Sequence, residues 1–66
     1  MDIRVDGSDI KDSGKKIGVI NGRDIMTYPD LKKVGSKDSD GDVFNASGSK
    51  VGRGNDGIVK LFINLR

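Results

Sequence analysis

The residues with the best claim to chemistry are the aspartates of "DSDGD" at 38–42. Laid on a calcium loop, Ser36, Asp38, Asp40 and Gly41 take positions one, three, five and six, but the bidentate glutamate is replaced by Ser47. Asp38, Asp40 and Asp42 are therefore a weak metal candidate, and a solvated hairpin turn is the stronger reading. "DSG" at Asp12-Ser13-Gly14 matches the aspartic-protease tripeptide, whose chemistry needs two carboxylates sharing one proton in a dry, apolar site. Lys11, Lys15 and Lys16 surround it, which favours an ionised, exposed carboxylate in a turn. The chain has no His, Cys or Glu, leaving Asp, Lys, Ser and Tyr28 as acids, bases and nucleophiles, and none are spaced as a recognisable catalytic group. The reading is non-enzymatic, with no cofactor.

The cations form the other candidate. Lys15, Lys16, Lys32, Lys33, Lys50 and Arg53 recur along the chain, and with Tyr28 or Phe44 they could line a groove that holds single-stranded nucleic acid. Asp9, Asp24 and Asp42 recur as well. If both rows lie on neighbouring strands they form cross-strand pairs instead of a binding stripe. The net charge is only +2, with 12 basic and 10 acidic groups interspersed, which suits mutual compensation better than a phosphate-binding face.

The elements that would hold these residues are short. Turn signals fall at Asp6-Gly7, Ser13-Gly14, Asn21-Gly22, Pro29-Asp30, Asp40-Gly41, Ser47-Gly48 and Asp56-Gly57, and seven turns imply about eight strands. Asn-Gly and Asp-Gly suit type I′ hairpins. All ten acidic residues are Asp and Gln is absent, so the composition favours turns over helices. Lys16-Ile17-Gly18, Lys33-Val34-Gly35 and Lys50-Val51-Gly52 recur every 17 residues, each preceded by an Asp-aliphatic pair at Asp9-Ile10, Asp24-Ile25 and Asp42-Val43. The chain thus reads as one domain over 1–66: roughly three hairpin repeats plus a terminal apolar strand. Within each repeat the glycine marks a bulge, a bend or a close backbone approach.

The segment "IVKLFINLR" reads as that terminal strand, with Val59, Leu61, Ile63 and Leu65 on one face and Ile58 and Phe62 on the other. So apolar a strand belongs in a barrel seam, in the sheet centre or in a dimer interface. The expected fold is an all-β antiparallel meander, curled into a small barrel or strongly twisted sheet, its first and last strands brought together. No apolar run approaches the roughly 20 residues that cross a bilayer, so no membrane association is expected.

"DSDGDVFNASGSKVGRG" and "GSDIKDSGKKIGVI" resemble the Gly/Asp-rich tandem β-repeats of fungal late-embryogenesis-abundant-like and bacterial repeat proteins. The resemblance covers about half of the chain and implies architecture alone; "MTYPDLKK" departs from it by placing Pro29-Asp30 where the repeats have Ser-Gly. Two functions are expected on these grounds. The first is a structural or protein-interaction module whose partner is another protein chain, or a second copy bound through an edge or the terminal strand. The alternative is a small nucleic-acid-binding barrel using the repeated cations.

Overall fold

The computed structural model describes residues 2–65. Seven strands follow one another: β1 (Ile3–Asp6), β2 (Asp9–Asp12), β3 (Lys15–Asn21), β4 (Asp24–Thr27), β5 (Lys33–Lys37), β6 (Asp42–Asn45) and β7 (Lys50–Arg53). Each pairs antiparallel with the next, giving a single sheet in sequence order. The first six turn signals are the six hairpin connections. Their chemistry is more varied than one turn type. At Ser13-Gly14 both central residues have positive φ (51° and 89°), the type I′ pattern. At Asn21-Gly22-Arg23-Asp24 only Gly22 does (63°), at the first central position, as in a type II′ turn. The longer connection Thr27–Lys32 is closed by Thr27 N–H donating to Lys32 O (2.9 Å) and by the Thr27 hydroxyl donating to Asp30 Oδ1 (2.6 Å).

The 17-residue repeat has a mechanical meaning. Ile10 pairs with Gly18 and Lys11 with Lys16, so Ile17 is an extra residue in β3. Val34 is skipped in the same way between Gly35 and Lys33, and Val51 between Gly52 and Lys50. Each Lys-aliphatic-Gly triplet is therefore a β-bulge, which bends its strand and steepens the local twist. Three bulges at equivalent places curl the sheet into a half-barrel. On its concave side Ile10, Ile25 and Val43, the aliphatic members of the three Asp-aliphatic pairs, are fully buried.

The expected eighth strand is a helix, α1 (Gly54–Asn64), and the seventh turn signal, Asp56-Gly57, lies in its first turns. The burial pattern is helical: Gly57, Ile58, Leu61 and Phe62 are buried, while Ile63 and Leu65 stay 46% and 50% exposed. This helix is intrinsically weak. It starts with Gly54, Asn55, Asp56 and Gly57, includes three β-branched residues, and its N-cap, Arg53, makes no side-chain capping bond. Packing sustains it, with Asp56 in the first turn complementing the helix dipole.

The helix contacts β7, β6 and β1, so it fills the concave face and spans the gap between the sheet's two edges. The first and last strands are not paired with each other, and among the described residues no strand follows β7 to serve as a dimer seam. The bulge glycines admit the helix. A Cβ on Gly18 would strike the Phe62 ring, one on Gly35 would sit 2.7 Å from Leu61 Cδ2, and one on Gly52 2.6 Å from Gly57 Cα. Bulge and close approach, alternatives in the sequence, are both present in every repeat. The resulting core is Ile3, Ile10, Ile25, Val34, Val43, Ile58, Leu61 and Phe62. The helix is too short to cross a membrane.

Candidate functional site

The bulge that turns Ile17 and Gly18 toward the core leaves Lys16 on the outside, and the same holds in the other two repeats. Each of these lysines meets the aspartate of its own repeat: Lys16 Nζ to Asp9 Oδ1 at 3.2 Å, Lys33 to Asp24 at 3.1 Å, Lys50 to Asp42 at 3.2 Å. Arg53 Nε lies 3.6 Å from the same Asp42 oxygen. The two charged rows thus interlock as a ladder of cross-strand ion pairs. Lys16 also lies 4.4 Å from the centre of the Tyr28 ring, a cation–π contact that occupies that aromatic. Phe44 is half-buried opposite Ser36. Lys15 and Lys32 make no ion pair among the described residues.

These pairs are exposed or half-exposed, with Asp42 the most covered at 23% exposure, and should contribute little individually. Replacing Lys16, Lys33 or Lys50 singly with Met is expected to lower stability by less than about 1 kcal/mol. The urea midpoint should therefore move only slightly, and a large shift would show that the ladder helps to hold the sheet's curvature.

The "DSDGD" aspartates are engaged in local structure. Asp38 Oδ1 accepts the backbone N–H groups of Asp40 (3.0 Å) and Asp42 (2.9 Å), an Asx-type closure of the β5–β6 hairpin. Asp42 is paired with its cations, and no group of three potential ligands is placed to hold a metal ion among the described residues. In "DSG", Asp12 Oδ1 accepts the Asp2 N–H (3.1 Å) and lies 3.4 Å from Ser13 Oγ, which ties the chain's start to the β2–β3 turn.

A different feature stands out once the helix is in place. Where α1 leaves the sheet, a groove of about 350 Å³ opens against β5 and β7. Val34, Val51, Leu61 and Leu65 form its apolar walls, Lys32 and Lys33 stand on one side, and Asn45 and Asn64 add polar groups. A larger depression of about 590 Å³ beside β1 and β2 is walled largely by Asp2, Arg4, Asp6 and Lys11, which are paired with one another. Of the apolar groove, the sequence marks the lysines and the shared apolar face of Leu61 and Leu65. Leu61 and Leu65 share a face in a strand as in a helix, but their meeting with Val34 and Val51 arises only in the folded structure.

No protein-family model matches the chain, and no curated protein or solved structure matches it either.

Proposed function

We propose that this protein is a non-catalytic interaction module that receives a short segment of another protein chain in the groove at the end of α1. The observation behind this reading is the groove's composition: apolar walls with Lys32 beside them, a cation that makes no ion pair among the described residues, whereas its neighbour Lys33 is held by Asp24. The complementary ligand is an aliphatic side chain flanked by acidic residues. The sheet edges are poorer docking sites, because β1 carries Arg4 and Asp6 and β7 carries Lys50 and Arg53, charges of the kind that discourage strand addition. The nucleic-acid alternative is weakened by the ladder, since Lys16, Lys33 and Lys50 each already face an aspartate.

Fluorescence anisotropy with a labelled Asp-Leu-Asp-type peptide tests the reading. A groove this small should give micromolar-to-millimolar affinity, about −4 to −8 kcal/mol. Lys32→Glu should weaken binding by about tenfold, roughly 1.4 kcal/mol. Leu65→Asp, at a half-exposed position, should weaken it without unfolding the chain. A peptide with lysines in place of the aspartates should not bind. Tight oligonucleotide binding with a steep salt dependence would instead establish the nucleic-acid reading and assign the lysines to phosphate contacts.

A further inference from the structure

Asn21 is exposed and ends β3, directly opposite Asp24 across the two-residue turn Gly22-Arg23. Among the described residues nothing hydrogen-bonds its carboxamide or the Gly22 N–H. Gly22 has no side chain to shield its nitrogen, and a Cβ placed there would meet nothing within 4 Å. We propose that Asn21 is a spontaneous deamidation site, at which the protein acquires a mixture of aspartate and isoaspartate.

The reaction needs only water. The Gly22 amide nitrogen loses its proton to hydroxide and attacks Asn21 Cγ. The Cγ–N bond of the carboxamide then breaks, and ammonia leaves with a proton taken from solvent. Water opens the resulting succinimide at either carbonyl. Opening at the side-chain carbonyl gives aspartate, and opening at the backbone carbonyl gives isoaspartate; nothing is oxidised or reduced.

The other candidates are restrained. Asn45 Oδ1 accepts the N–H groups of Ser47 and Ser49, both at 3.0 Å, which holds its carboxamide in the β6–β7 turn. Asn55 and Asn64 belong to α1, and each is followed by a residue with a side chain. Of the Asp-Gly pairs, Asp40-Gly41 has its glycine N–H bonded to Asp38 O at 3.1 Å, and Asp56-Gly57 has its glycine buried in the helix. At Asp6-Gly7 the same ring closure would have to expel a carboxyl oxygen as water, a poorer leaving group than the ammonia of a carboxamide.

The two products differ in what they do to the fold. Aspartate at 21 places a carboxylate opposite Asp24, a mild repulsion at an exposed site. Isoaspartate adds a methylene to the backbone beside the turn that sets the β3–β4 register, one residue from the Ile20–Ile25 pair, whose Ile25 is fully buried.

Folded protein aged at mildly alkaline pH, then digested and mapped by mass spectrometry, tests the proposal. Asn21 should convert several times faster than Asn45, Asn55 or Asn64, with isoaspartate among its products, and Asn21→Gln should remove the fast phase. The isoaspartate fraction should melt lower than fresh protein, while Asn21→Asp melts close to it. Earlier conversion at another asparagine, or an Asn21 that stays intact in the folded chain while the urea-unfolded chain converts, would overturn the assignment.

Discussion

Gly52→Ala is expected to disturb the docking of α1 and to remove a large share of the chain's stability. The added methyl would lie 2.6 Å from Gly57 Cα and 3.2 Å from Gly57 N, so backbone would meet backbone and no side-chain rotation could relieve it. Gly57 cannot retreat along the sheet, because its own surroundings are as tight: a Cβ there would meet Val43 Cγ2 at 2.8 Å. Overpacking of this kind costs about 1–3 kcal/mol or more. A domain of this length has about 3–10 kcal/mol in total. At the other two bulges the conflicts are mixed. A methyl at Gly18 meets the buried Phe62 ring and the backbone Met26 O (2.9 Å), and one at Gly35 meets the backbone Phe44 O and Leu61 Cδ2 (2.7 Å), so each strikes one side chain and one carbonyl. Thermal melts followed by circular dichroism should therefore show the largest damage at Gly52, with Gly35→Ala and Gly18→Ala both destabilised less. Wild-type melting of Gly52→Ala would disprove the contact between α1 and β7.

Leu61→Asp should unfold the protein, and Ile63→Asp should not. The two residues differ by two positions, so they would share a face in a strand but not in a helix. Leu61 is 2% exposed within the core and Ile63 is 46% exposed. An unpaired carboxylate at Leu61 has no cation or donor to receive it, and the cost exceeds about 3 kcal/mol, comparable to the whole stability. At Ile63 the carboxylate faces solvent, and the change should stay within about 0.5 kcal/mol. Equal damage from both substitutions would restore the strand reading of this segment.

The sheet was legible in the sequence because its punctuation is local: hairpin turns depend on Asn, Asp, Ser and Gly at the turn itself, and six of these signals sit where strands meet. The tripeptide period marked the three positions for the same reason, while leaving bulge, bend and close approach open. The helix was not legible. Ile58 to Leu65 has apolar residues at both strand and helix spacing, and Gly57, Val59 and Ile63 argue against helix on intrinsic preference. What decides the matter is the concave sheet, whose bulge glycines provide a channel shaped for a rod and not for a flat strand. That choice depends on residues such as Gly18, more than thirty positions away. The groove was hidden with it, since Leu65 joins Val34 and Val51 only when the segment is wound. The ion-pair ladder could be framed from the sequence as a conditional, and the register between β2 and β3, β4 and β5, and β6 and β7 supplied the condition.

The meander order has a kinetic consequence. Every strand pairs with its sequence neighbour, so each hairpin closes a loop of a few residues and little chain entropy is lost before contacts form. Such a sheet should assemble faster than β-proteins whose strands pair across long separations. Yet a curled sheet with Ile10, Ile25 and Val43 facing an empty trough has nothing to hold it closed until Ile58, Leu61 and Phe62 arrive. During synthesis those three residues emerge after all seven strands. Folding from the ribosome should therefore be late and abrupt: hairpins flicker as they appear, and the domain becomes protected from proteases only when the final eleven-residue element clears the exit tunnel.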